Sequence, residues 1–234
     1  MKFRNRQQAG ELLAERVQHA LDAQPAAGPT PSERLQVLAL PRGGVPVAVP
    51  VADRLNCDLR VLLVRKLGLP GHAELAMGAI AAVGGSVRSV ANNSVVWQHG
   101  IGEETWDRVL AAERAELTRR TAVFGPWTCT ELAAGTTVVV VDDGLATGAT
   151  MLAAVAVLSD AGAERILVAV PVAAGAAVTA VERAGAEPVV LSRPEPMVAV
   201  GVAYRDFHQL DDAEVVALLQ RREERRGERR GERR

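Results

Sequence analysis

The sequence predicts an α/β fold in which helices cover both faces of a parallel sheet. Short apolar runs alternate along the chain with segments of helical periodicity. The runs are continuously apolar instead of alternating with polar residues, as strands buried on both faces are. Composition agrees: 48% of the 234 residues are hydrophobic but only 3% aromatic, so the core must rest on Val, Leu and Ala. That length suits one α/β domain with an appendage.

Taken in order, residues 7–23 carry Leu12, Leu13, Val17 and Leu21 at helical spacing. The breaker-rich stretch 25–31 then predicts a loop. Residues 35–40 predict a buried strand that ends at "PRGG", and 45–56 a helix. Pro46 suits its first turn, whereas Pro50 is expected to kink or delay it. Residues 59–66 predict a strand, 67–74 a loop and 75–83 renewed apolar structure. A helix with surface Arg–Glu pairs is expected over 101–124. The β-branched run 136–141 predicts a strand. Helices at 149–162 and 176–186 alternate with strands at 165–173 and 188–192, and a last helix spans 211–222. One domain over 1–220 is expected.

The net charge is −1, which argues against a nucleic-acid-binding surface. Residues 221–234 hold eight Arg and four Glu, a local charge of +4 that leaves about −5 for the rest. This segment is expected to be a solvated, disordered tail, with an acidic partner as the alternative. Cys57 and Cys129 stand in no metal-ligand or disulfide spacing and are expected to be reduced thiols. The N-terminus lacks a signal-peptide core, and no segment reaches membrane-spanning length. A cytoplasmic location without membrane contact is expected.

The stretch "VVVVDDGLATGATM", residues 138–151, carries the chemistry. Asp142 and Asp143 follow the 136–141 strand, at the carboxyl end where open α/β sheets bind ligands. Residues 144–150 then lead into a helix, whose free N–H groups and positive dipole end favour a phosphate. Thr147 and Thr150 add hydroxyls, and Gly144 and Gly148 let backbone approach a ligand. A carboxylate repels phosphate. Two beside a phosphate cradle make sense if the ligand also carries vicinal hydroxyls, as a ribose 5-phosphate does. The sequence contains no P-loop, dinucleotide-binding or hydrolase nucleophile motif. Helix capping alone would use one acid.

This stretch resembles the signature by which type I phosphoribosyltransferases bind 5-phosphoribosyl 1-diphosphate (PRPP). The resemblance implies that Asp142 and Asp143 hold the ribose hydroxyls and that Ala146, Thr147, Gly148, Ala149 and Thr150 bind the 5-phosphate. "LALPRGGVPVA", residues 38–48, is similar to the family's pyrophosphate loop, placing Arg42, Gly43 and Gly44 at the diphosphate. That loop often holds a non-proline cis peptide. "VRKLGLPGHAELAMGAIA", residues 64–81, matches the place of Arg-Lys and a mobile catalytic loop. Arg65 and Lys66 would approach the diphosphate, with His72 and Glu74 on the loop. From "FRNRQQAGELLAERV" to "VAYRDFHQLDDAEVVALL" the chain looks like a bacterial phosphoribosyltransferase group of unassigned substrate.

The implied fold is the phosphoribosyltransferase core with a small variable hood, built from the N-terminal segment and about 195–215. Tyr204 and Phe207 are candidate base-stacking residues there, with hood packing as the alternative. The implied reaction moves ribose 5-phosphate from PRPP to a nitrogen acceptor, a nucleobase in this family, and releases pyrophosphate. Lys66, Asp142 and Asp143 would be catalytic. Mg²⁺ would bind mainly through PRPP, touching Asp143 at most through water. A homodimer is a further implication. The alternative reading is a non-catalytic PRPP- or nucleotide-binding regulator.

Overall fold

The structure is a computed structural model and describes residues 2–23, 34–83, 86–129, 132–133 and 135–231. Its centre is a five-stranded parallel sheet formed by β1 (Leu35–Ala39), β2 (Asp58–Val61), β6 (Thr137–Val141), β7 (Arg165–Val172) and β8 (Glu187–Ser192), in the order β2-β1-β6-β7-β8. Val37 pairs with Val139 and Val139 with Leu167 in register, so side chains at these levels share one face.

Both faces are buried. Val37, Ala39, Val139, Val141, Leu167 and Ala169 join the core under α1 (Arg6–Ala23) and α2 (Gly44–Arg54). Leu38, Val138, Val140, Val168 and Val170 join the core under α5 (Ala149–Asp160) and α6 (Gly175–Arg183). This is why the strands read as unbroken apolar runs. Pro50 is accommodated inside α2.

Residues 59–66 do not form one strand. The chain pairs with the main sheet through the Leu62 N–H to Ala39 O bond, 2.9 Å, and then leaves it. From Val64 it forms a separate antiparallel sheet of β3 (Val64–Leu69), β4 (His72–Val83) and β5 (Ser86–Ala91). The segment 67–74, expected as a loop, is the end of a hairpin. β3 runs to Leu69, Gly71 turns with φ 80°, and β4 starts at His72. Leu62 and Leu63 enter opposite cores, so burial continues across the break and hides it from a hydropathy reading. This sheet packs against α5 and against α4 (Glu103–Phe124), which follows the short α3 (Asn93–Gln98). The expected surface pairing on α4 includes Arg119 Nε to Glu116 Oε2 at 2.8 Å.

The expected tail also takes a different form. Helix α7 (Asp212–Gly231) starts with a reciprocal cap: Glu214 N–H donates to Asp211 Oδ1, and Asp211 N–H donates to Glu214 Oε2, both at 2.8 Å. It then continues well past residue 221. The cause is tertiary. Arg222 is 4% exposed; its Nε donates to Asp53 Oδ1 and its Nη2 to the Cys57 carbonyl, each at 2.8 Å. Arg226 pairs with Asp58. The arginines thus hold α7 against the turn between α2 and β2. Cys57 and Cys129 are buried free thiols, and burial pushes Cys57 up to about 11.

Arg222→Ala should therefore lower stability by about 1–3 kcal/mol, since it strands a buried carbonyl and breaks a partly exposed ion pair. Urea unfolding checks this. A variant as stable as wild type would show that the clamp is idle.

Candidate active site

Strand β1 leads through α2 to β2 on one side, whereas β6 leads through α5 to β7 on the other. The loops leaving β1 and β6 meet at this switch point, beyond the strand ends, where open α/β sheets bind ligands. The β1 loop is tied by Leu40 N–H to Val141 O, 2.9 Å, and Gly44 N–H to Leu40 O, 3.0 Å. The Pro41–Arg42 peptide is cis. A Cβ on Gly43 would overlap the Asp143 carboxylate, and one on Gly44 would meet the Val141 carbonyl and Asp142 Cα. The two glycines are thus required by direct packing of this loop on the acid pair.

The acids share a strained electrostatic position. Asp143 N–H donates to Asp142 Oδ1 at 2.8 Å. Burial, then the neighbouring Asp143 charge, raises the Asp142 carboxyl well above its ordinary range. Burial also raises Asp143, opposed by Arg6. Arg6, at the start of α1, donates from Nε to Asp143 Oδ2 at 2.8 Å and from Nη1 to the His208 carbonyl at 3.0 Å. Its guanidinium lies 3.8 Å over the Phe207 ring.

Tyr204 is 3% exposed, and its hydroxyl donates to the Asp143 carbonyl at 2.5 Å. Its ring packs between Phe3 and Phe207 at centroid distances of 5.5 and 5.0 Å. The structure therefore gives Tyr204 a supporting place behind the acid pair. Phe207 has Tyr204 on one side and Arg6 over its ring, so stacking of a base on either aromatic would need a rearrangement.

The β6 loop is anchored at Leu145, whose N–H donates to Val172 O at 2.8 Å and whose carbonyl accepts from Ala174 N–H at 2.9 Å. Gly148 caps α5 with φ 79°. The first helical bond is Leu152 N–H to Gly148 O, 2.8 Å. Among the described residues, no hydrogen bond engages the N–H groups of Ala146, Thr147, Gly148, Ala149 or Thr150. Ala146, Thr147 and Thr150 are exposed, so the loop presents a row of free donors at a helix N-terminus.

The expected cations divide. Arg42 is half-buried, close enough to Arg120 on α4 for their charges to interact. Arg65 turns toward α4, donating from Nε to Glu113 Oε2 at 2.7 Å. Lys66 lies on the opposite strand face, shared with Val64, whose core cluster includes α5 residues. His72 is exposed at the hairpin turn, its ring 5.9 Å from His99; Glu74 belongs to β4. Arg120 on α4 joins this group: burial and the nearby Arg42 and Arg65 charges lower it, while Asp212 opposes them. Among the described residues no cluster of three or more His, Cys, Asp or Glu could hold a metal, and no helix is long and apolar enough to cross a membrane.

Sequence reasoning missed Arg6 and Arg120. Arg6 left one signal: a cation at a helix N-terminus opposes the macrodipole and calls for a tertiary partner. Arg120 left none, being one of many charges on an amphipathic helix.

A family model described as the phosphoribosyl transferase domain matches residues 7–189. The chain belongs to the phosphoribosyl transferase family. It is 40% identical over 219 residues, or 94% of its length, to a protein of two Mycobacterium tuberculosis strains named "Putative phosphoribosyl transferase", and spans 46% of those relatives. The crystal structure of TT1426 from Thermus thermophilus is similar at TM-score 0.77 and 39% identity, covering 94% of this chain and 99% of that one. The matched region thus runs from α1 into β8 and includes the acid pair and the unpaired amides of residues 146–150.

Two outcomes are expected of the ligand-free chain with metal chelated. A raised carboxyl pKa in the folded state means that stability is lost as pH rises through that value. Asp142→Asn should therefore raise Tm at pH 7–8, with the gain vanishing below about pH 4, where unfolded-chain carboxyls also protonate; a gain independent of pH would contradict the charge argument. Tyr204→Phe should cost about 1 kcal/mol by removing the hydroxyl from the Asp143 carbonyl, read as a lower urea midpoint.

Proposed function

We propose that this chain transfers ribose 5-phosphate from PRPP to a nitrogen acceptor, a nucleobase or similar heterocycle, with release of pyrophosphate. The carrying observation is the acid pair at the β1/β6 switch point, flanked by the glycine loop at Arg42–Gly44 and the free amides of residues 146–150. In this reading, Ala146, Thr147, Gly148, Ala149 and Thr150 hold the 5-phosphate. Asp142 and Asp143 accept hydrogen bonds from the ribose hydroxyls. Arg42, Gly43, Gly44, Arg65 and Lys66 meet the diphosphate.

The C1–O bond to the diphosphate breaks with its electron pair going to the leaving oxygen, a C1–N bond forms with inversion, and the acceptor N–H proton passes to solvent. Positive charge grows on the ribose ring, where the fixed negative field of the acids favours it. Raising the Asp142 carboxyl costs the empty protein stability. A ligand that donates hydroxyl hydrogens and develops positive charge relieves that cost. Arg42 and Lys66 balance charge on the departing diphosphate. Arg65 would contribute after releasing Glu113, or through its field.

The residues present fit Mg²⁺ carried by PRPP. An ion that keeps water and binds phosphate oxygens needs no protein cage, only carboxylates near the phosphates, which the acid pair would supply. Asp143 would reach it through water, and when bound the ion would neutralise the leaving group.

PRPP with Mg²⁺ should raise Tm, by about 2.7 kcal/mol of added stability at a hundredfold excess over Kd. Gly43→Ala, Asp143→Asn and Thr147→Val should each weaken that shift. Lys66→Ala should bind PRPP within a few-fold of wild type yet slow pyrophosphate release by roughly a hundredfold, the scale for one preorganised charge-stabilising donor. No thermal shift at millimolar PRPP overturns the assignment. Tight PRPP binding without pyrophosphate release across a panel of nucleobases identifies a regulatory binding protein instead.

A further inference from the structure

Asp143 has all but one of its polar groups engaged. Its N–H donates to Asp142 Oδ1 at 2.8 Å, its carbonyl accepts from the Tyr204 hydroxyl at 2.5 Å, and its Oδ2 accepts from Arg6 Nε at 2.8 Å. Asp142 has spent Oδ1 on the Asp143 N–H. Among the described residues this leaves one carboxylate oxygen on each acid without a hydrogen bond, Asp142 Oδ2 and Asp143 Oδ1. Two such acceptors on neighbouring residues complement two vicinal hydroxyls, each of which donates one hydrogen.

Arg6 decides which oxygen of Asp143 remains. The last torsion of an aspartate has only broad wells, so an untethered carboxylate turns readily. Arg6 removes that freedom by holding Oδ2, and Gly43 backs the same oxygen: a Cβ there would run into Asp143 Oδ2 before Oδ1. Two further contacts hold Arg6 itself. Its Nη1 donates to the His208 carbonyl at 3.0 Å, and its guanidinium lies 3.8 Å over the Phe207 ring. The guanidinium is planar and rigid, so fixing one nitrogen and the plane fixes the nitrogen that meets Asp143. Arg6 also lines a cavity of about 340 Å³ between α1 and α7. With space on that side, the guanidinium is placed by these contacts and not by close packing all round.

We propose that Arg6 is a positioning residue for this site: by holding Asp143 Oδ2 it fixes Asp143 Oδ1 and Asp142 Oδ2 as a two-point acceptor for the vicinal hydroxyls of a ribose phosphate. The inference rests on the transferase reading for the identity of the ligand. A purely structural ion pair would add stability without changing which ligands bind. A positioning residue instead changes the gain in affinity that the hydroxyls bring to a phosphate ligand.

Ribose 5-phosphate and methyl phosphate separate these roles. Both carry a phosphate monoester suited to the free amides of residues 146–150, and only the sugar carries vicinal hydroxyls. Calorimetry should find ribose 5-phosphate bound at least roughly tenfold more tightly than methyl phosphate, the scale of one hydrogen bond to a charged group. Arg6→Gln should shrink that ratio to about threefold or less and leave methyl phosphate affinity within about twofold, because the amides do not depend on Arg6. Because Arg6→Gln can unfold the chain, Phe207→Leu serves as the second variant. It removes the ring beneath the guanidinium without touching Asp143, and should lower the ratio by roughly threefold, the scale of one cation–π contact, with the fold retained by circular dichroism. A wild-type ratio in folded Arg6→Gln, or in Phe207→Leu where Arg6→Gln does not fold, overturns the proposal and leaves the transferase reading in place. Parallel loss of both ligands in a folded variant also overturns it, since Arg6 is then structural only. A wild-type chain that binds ribose 5-phosphate no better than methyl phosphate, or binds neither at millimolar concentration, overturns it together with the ribose assignment. The PRPP-induced Tm shift is read separately, and its absence removes the transferase reading.

Discussion

Two adjacent carboxyl groups at the end of a strand buried on both faces repel each other and lose hydration together. Most of the site follows from accommodating them. Asp142 accepts from the Asp143 N–H, and the Asp143 side chain needs a cation. That cation, Arg6, stands 137 residues away in sequence. Seating it recruits the Phe207 ring and the His208 carbonyl, and the Asp143 carbonyl recruits the buried Tyr204 hydroxyl. The N-terminal turn and residues 204–208 are consequently drawn onto the carboxyl end of the sheet. Phe3 bridges to Tyr204 there as a short parallel pairing. The hood is thus the structure that neutralises the acids.

The same arrangement links distant parts of the chain. Arg6 faces the acid pair on one side and the α1/α7 cavity on the other. Helix α7, which borders that cavity, is held by Arg222 against Asp53 and the Cys57 carbonyl at the far end of α2. The start of α2 is set by Gly43 and Gly44 against the acids. One helix therefore connects the Arg42–Gly44 loop to the C-terminal clamp, and the clamp to the cavity wall.

Charge explains where reading along the chain succeeded and where it stopped. The signature of strand, acids, glycine and threonines is local, because a helix N-terminus presents consecutive free amides. Its geometry, with a left-handed Gly148 and unpaired N–H groups at residues 146–150, is what those residue types favour. Tyr204 and Phe207 stood out as rare aromatics in the hood. Only the packing distinguishes a ring facing a ligand from one whose hydroxyl braces Asp143. The arginines 221–234 looked solvated by composition. The buried contact of Arg222 depends on Asp53 and Cys57, which no pattern near residue 222 announces.

By itself the sequence determined the class of fold, the parallel order implied by continuously apolar strands, and the placing of the acid pair and its glycine–threonine loop at a strand end before a helix. These depend on periodicity and on contiguous residues. Tertiary structure alone decided three things: that residues 59–66 split between two sheets, that α7 continues to Gly231, and that Arg6 closes on Asp143. Each turns on a partner far along the chain. A buried charge or an unbroken apolar run has the same local appearance whichever partner satisfies it, so only the folded chain can select one.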